Sequence, residues 1–148
     1  MALNFTLKNY LFSAFRELFV YHHSSLEFRA KLFALVIAAN DDATECELQL
    51  VKDAGMSIYN DETRANALML TTKEYVVKVV EDNGLDMDSL IKDITDDLRV
   101  VPRYAQKIDI TQLEPLIECS TDEDVSTYQI RIIEFLDRLK NEYIRKEQ

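Results

Sequence analysis

Two acidic octets carry the side chains of greatest chemical potential in this sequence. Residues 40–47 read NDDATECE, and residues 122–129 read DEDVSTYQ. Aligned, Asn40 matches Asp122, Asp41 matches Glu123, Asp42 matches Asp124, Thr44 matches Ser126 and Glu47 matches Gln129. Clustered carboxylates are the hard oxygen donors that Ca²⁺ and Mg²⁺ take. The first chemistry to consider is therefore a divalent cation, Ca²⁺ or Mg²⁺, held by Asn40, Asp41, Asp42, Glu47, Asp122 and Asp124. Neither octet is an EF-hand. Counting from Asn40 or Asp122, the sixth position is Glu45 or Thr127 where Gly is required, and the twelfth is Val51 or Ile133 where a bidentate Glu is required. A cation would need both loops side by side, as pseudo-symmetric repeats often place them.

The same octets have a purely structural use. Thr44 or Ser126 at an N-cap accepts a bond from the backbone three residues on, while Glu47 or Gln129 reaches back, so that orphan N–H groups find partners. Acids at the positive end of the helix dipole add to this, and each cap contributes about 1 kcal/mol.

Other constellations are weaker. Adjacent His22 and His23 point in different directions on a helix and chelate one ion poorly, so a helix-end or solvated role is expected. Cys46 and Cys119 flank the octets and would meet if the repeats pair, as a redox pair or a soft-metal site. Buried structural thiols are commoner, and two cysteines with no nearby histidine leave a zinc site incomplete. Catalysis has little to stand on: there is no Gly-rich phosphate loop, no Gly-x-Ser-x-Gly and no His-Glu-x-x-His, and the chain has two His in all. The acidic pairs Asp86 and Asp88, and Asp96 and Asp97, lie in a stretch that reads as the solvated face of an amphipathic helix.

The elements that must position these residues read as helices. An amphipathic helix is expected over residues 5–21. Ser24 and Glu27, at capping-box spacing, open a second, apolar nearly all round and therefore central. A third covers residues 45–55, where Gly55 ends or loosens it. From Asp61 the pattern is helical to Asn83-Gly84, either as one helix or as two with Thr71 and Glu74 opening the second. Leu90, Ile91, Ile94 and Leu98 make one face of the next helix, which Pro102 ends. A short helix over residues 103–107 follows; Thr111 and Glu114 open another, with Pro115 in its first turn. The last spans residues 127–145 and carries Ile130, Ile133, Phe135, Leu136, Leu139 and Tyr143.

The totals agree. A chain of 148 residues, 47% hydrophobic, suffices for one core, and two Gly and two Pro are too few for the turns of a β fold. A net charge of −10 argues against nucleic acid and turns attention to a basic protein partner or a cation. The longest apolar run, LFALVIAA, is far short of the roughly 20 residues that span a bilayer, so no transmembrane segment is expected; peripheral membrane association stays open. The N-terminus lacks a signal-peptide pattern, and with two cysteines a disulfide framework is not expected and a reducing cytoplasm is the natural compartment.

An apolar helix ending in Ala38-Ala39, followed by an acidic octet with a small or β-branched residue fourth, Thr or Ser fifth and Glu eighth, resembles the tellurite-resistance TerB-like family. The resemblance runs from residue 25 onward and includes the echo at residue 122. Asn40-Asp41 and Asp122-Glu123 stand where the family has Asp-Gly, and Gln129 stands where it has Glu. The resemblance implies a site of Glu47 and Asp122, with Asn40 as a weaker ligand and Asp41, Asp42 and Asp124 as substitutes. It also implies a stress-associated scaffold rather than an enzyme. The expected architecture is an all-α single domain of about seven orthogonally packed helices with a pseudo-repeat, TerB-like, over residues 1–148, with residues 1–24 packing on it as an amphipathic helix. Two functions follow: a cation-responsive scaffold, or a metal-free interaction module docking a basic partner through its acidic loops.

Overall fold

The computed structural model describes residues 24–40, 43–81 and 87–147. The helix expected over residues 5–21, His22, His23, Asp41, Asp42, the Asn83-Gly84 turn and Asp86 lie outside them. The fold is all-α, and no strand occurs among the described residues. In chain order the helices are α1 (Ser24–Ile37), α2 (Glu45–Tyr59), α3 (Glu62–Glu81), α4 (Met87–Val100), α5 (Ile110–Leu113) and α6 (Glu123–Glu147). Three 3-10 segments, Ala38–Asn40, Pro102–Lys107 and Glu114–Cys119, link them.

α1 is the central element, as its all-round apolarity predicts. Leu26, Phe28, Ala30, Leu32, Phe33 and the run from Ala34 to Ile37 are buried, against α3, α4 and α6. Each fully buried Leu or Phe contributes about 2 kcal/mol relative to exposure. Glu27 accepts a hydrogen bond from the Tyr75 hydroxyl on α3; the Ser24 side chain, its expected capping partner, lies outside the described residues.

Gly55 does not end its helix. α2 continues to Tyr59 and closes at Asn60, whose left-handed φ of 51° lets its N–H donate to the Met56 carbonyl. Gly55 serves close approach instead: a Cβ there would lie 2.8 Å from the Ala65 Cα on α3. Asp61 then caps α3, accepting from the Thr63 N–H at 2.9 Å. α3 is one uninterrupted helix through Thr71 and Glu74.

α4 buries Leu90, Ile94 and Leu98 completely, and Ile91 is half-buried at the edge of that face. Pro102 ends it, with Val101 displaced to φ −130° and ψ 78°. The segment after it seats Tyr104 against Phe28, with ring centroids 5.2 Å apart. α5 starts two residues earlier than predicted: Asp109, not Thr111, is the N-cap and accepts from the Thr111 N–H at 3.0 Å.

α6 also starts earlier than predicted, at Glu123. Asp122 caps it, its Oδ1 accepting from the N–H of Asp124 at 2.9 Å and of Val125 at 3.4 Å. Ser126, predicted as the cap, lies inside the helix, and its N–H donates to the Asp122 carbonyl. An ionised carboxylate at the helix start outcompetes the hydroxyl four residues later. The buried face of α6 is Gln129, Ile132, Ile133, Leu136 and Leu139, whereas Ile130 is exposed.

Candidate functional site

The two octets meet. α1 delivers Asn40 through its terminal 3-10 turn, and the chain re-enters helix at Thr44, the N-cap of α2. Here the predicted capping box is fully formed. The Glu47 N–H donates to Thr44 Oγ1 at 3.2 Å, and Glu47 Oε1 accepts from the Thr44 N–H at 3.2 Å and its hydroxyl at 3.0 Å. Asn40 Nδ2 donates to the same oxygen at 3.5 Å.

The remaining oxygen of Glu47 faces the second octet. Gln129 Nε2 donates to Glu47 Oε2 at 3.4 Å and to the Val36 carbonyl, near the end of α1, at 3.2 Å. One amide thus bridges a carbonyl in the last turn of α1 and a buried carboxylate. The eighth residues of the two octets are therefore in contact. Both are buried, Glu47 to 1% and Gln129 to 0% exposure. No Lys or Arg among the described residues pairs with Glu47. Its charge is held by N–H and O–H donors and by the positive end of α2. Gln129 Oε1 is buried with no hydrogen-bond partner among the described residues.

Of the six predicted cation ligands, the structure brings Asn40 and Glu47 together. Asp122 and Asp124 are exposed at the start of α6, where Asp122 Oδ1 is already occupied by two N–H groups. Asp41 and Asp42 lie outside the described residues. Among the described residues no three His, Cys, Asp or Glu side chains gather in an arrangement that could hold a metal ion.

Two features of the junction went unread in the sequence. Cys46 and Cys119 form a disulfide, with sulfurs 2.04 Å apart and Cα atoms 5.8 Å apart. This corrects the expectation that no disulfide would form, and Cys46 is exposed rather than buried. Of the readings weighed for these cysteines, the paired one holds, and the commoner one, buried thiols, does not. Gln129 was missed as a buried group, although it stands three and four residues before Ile132 and Ile133 on their apolar stripe. Glu45 and Glu118, the sequence neighbours of the bonded cysteines, are exposed, as are Asp122, Glu123 and Asp124 three to five residues beyond Cys119, which gives this part of the chain an acidic rim.

Of the other acidic pairs, Asp96 and Asp97 are each held by partners of their own, and Asp86 lies outside the described residues. Asp96 pairs with Lys92 at 2.7 Å and Arg99 at 2.6 Å, and the hydrogen bond from Lys92 holds its carboxyl below the usual carboxylate range. Asp97 pairs separately with Lys31 on α1 at 2.8 Å. Asp88 is exposed. Two shallow clefts of about 460 and 450 Å³ lie along the far half of α6, lined by Arg138, Asn141, Glu142, Arg145 and Lys146, and by Arg99, Pro102, Tyr143 and Lys146. Gln129 and Arg145 are separated along α6 by about 24 Å, at roughly 1.5 Å per residue, so the clefts are remote from the octets. Among the described residues no helix is long and apolar enough to cross a membrane. No protein family, no curated protein and no solved structure matches this chain.

Proposed function

We propose that the protein is a non-enzymatic interaction domain that docks a basic protein partner on the acidic rim where the two octets meet. The observation that carries this is the division of labour among the carboxylates. Glu47 is buried and spoken for by Thr44, Asn40 and Gln129, while Glu45, Glu118, Asp122, Glu123 and Asp124 face water. Exposed like charges of this kind raise encounter rates with a cationic surface and repel nucleic acid. Titration calorimetry with a lysine-rich peptide tests it. Binding that weakens as salt rises, and that falls at least several-fold in Asp122→Asn/Asp124→Asn, is the expected result. Equal binding by wild type and variant refutes it.

The second function, a TerB-like, stress-associated scaffold responsive to Ca²⁺ or Mg²⁺, has one observation in its favour. Gln129 Oε1 is a buried acceptor lacking a partner among the described residues, beside the Glu47 carboxylate. A cation seated there would have to displace the Gln129 Nε2 donor from Glu47 Oε2. Melting temperatures in Ca²⁺, Mg²⁺, Mn²⁺ and Zn²⁺ separate the two functions: a rise with one ion, lost in Glu47→Ala, favours the scaffold.

A further inference from the structure

We propose that Cys46 and Cys119 form a thiol–disulfide exchange site, opened in the folded protein by a dithiol reductant and closed again by the corresponding disulfide. Cys46 is exposed, so an attacking thiolate reaches it, while Cys119 is half-buried. Exposed disulfides are the labile and regulatory ones, in contrast to those sealed in a core. The surroundings are fastened independently of the bond. Leu113 and Leu116 anchor the segment before Cys119 in the core, and the Thr44, Glu47 and Gln129 hydrogen bonds hold the start of α2. Opening the bond therefore frees an edge of the molecule and leaves the helices packed.

Position also assigns the roles of the two sulfurs. Cys46 lies in the first turn of α2, where free N–H groups favour a thiolate, so it is the attacking sulfur when the bond re-forms. A dithiol is the co-reactant class, because its second thiol resolves the mixed disulfide within the same molecule. In the forward direction one thiolate of the dithiol attacks Cys46 Sγ. The Sγ–Sγ bond breaks with its electron pair on Cys119 Sγ, which takes up a proton. The second thiol of the reductant, deprotonated, attacks the mixed disulfide and expels the Cys46 thiolate, which is protonated in turn. The protein gains two electrons and two protons, and the dithiol leaves as a disulfide. The structural consequence is that the end of the 3-10 segment, from Glu118 onward, is no longer tied to the start of α2, while Leu116 stays seated in the core.

None of this depends on a basic partner or a cation. The test uses the full chain, oxidised, incubated with dithiothreitol in the absence of denaturant and then alkylated. Two alkyl groups per chain by mass, an unchanged helical circular dichroism signal, and faster hydrogen exchange confined to residues 43–49 and 118–122 are the expected results. Oxidised dithiothreitol should restore protection. Cys46→Ser/Cys119→Ser should show the exchange pattern of the reduced chain whether or not reductant is present. Alkylation only after denaturant unfolds the chain overturns the proposal, as does loss of the helical signal in step with reduction, or thiols that stay free under oxidising conditions.

Discussion

Replacing Glu47 and Gln129 by Ala, singly and together, measures what holds the two halves of the molecule at their junction. Glu47→Ala removes the side-chain half of the capping box, the bonds to its Oε1 from the Thr44 N–H and hydroxyl, worth about 1 kcal/mol, and leaves Thr44 Oγ1 accepting from the residue-47 N–H. It also removes the buried methylene of Glu47 beyond Cβ, worth about 0.8 kcal/mol. Thr44 and Asn40 are half-buried and can turn their donors to water, so only modest further cost falls on them. The loss should be about 2 kcal/mol. Gln129→Ala leaves the Val36 carbonyl and Glu47 Oε2 without that donor, at about 1–3 kcal/mol for a buried acceptor, and its methylene adds a little under 1 kcal/mol. It should cost slightly more, about 2–3 kcal/mol. Because the Gln129 to Glu47 bond is long at 3.4 Å, the coupling between the two sites should be near 1 kcal/mol rather than the upper end for a charged acceptor. Urea denaturation followed by helical circular dichroism gives all three values from shifts in midpoint at constant slope. Strict additivity, with each single loss below about 0.5 kcal/mol, would refute the view that these buried groups clasp α1, α2 and α6 together.

Three further outcomes are expected. Gly55→Ala gains about 1 kcal/mol of helix propensity but forces backbone apart at 2.8 Å from Ala65, so it should lower stability by about 1 kcal/mol or more; a raised melting temperature would contradict the contact. Cys46→Ser/Cys119→Ser removes a link across 73 residues, which in the chain-entropy account is worth about 4.4 kcal/mol and in practice about 2–4 kcal/mol, read as a lower urea midpoint for a chain that remains helical. Asp96, whose carboxyl is held low by Lys92, contributes stability that is present above its unfolded pKa and lost as pH falls through its lower folded value. Asp96→Asn should therefore flatten that part of the acid limb, and an NMR titration of Asp96 should show a midpoint below the usual carboxylate range.

The sequence was most informative where periodicity and local chemistry coincide. Leu90, Ile94 and Leu98 recur on one helical face with no competing signal, and Thr44 with Glu47 needs only its own backbone to form a cap. The capping spacing misled at Thr111 and Ser126, where in each case an aspartate upstream took the cap. Gly55 illustrates a different blindness: as a helix breaker and as a point of close contact a glycine looks the same until the facing helix is known. At the candidate site the repeat did foretell that the octets approach each other. What it could not carry was the inequality of the partners, one capped at its fifth residue and the other at its first, which buries Glu47 and leaves Asp122 in water.

The bond between Cys46 and Cys119 also makes the polypeptide a ring with two tails. α2, α3, α4 and α5 lie within the closed circuit, while α1 and α6 belong to the strands of chain that leave it, at points only 5.8 Å apart. Tension applied to the two ends of the chain would run through α1 and α6 and cross the ring at a single covalent point. The helices inside would carry no load, and the 73-residue separation, about 250 Å of contour at roughly 3.4 Å per residue, would stay hidden from the pull until the sulfurs part.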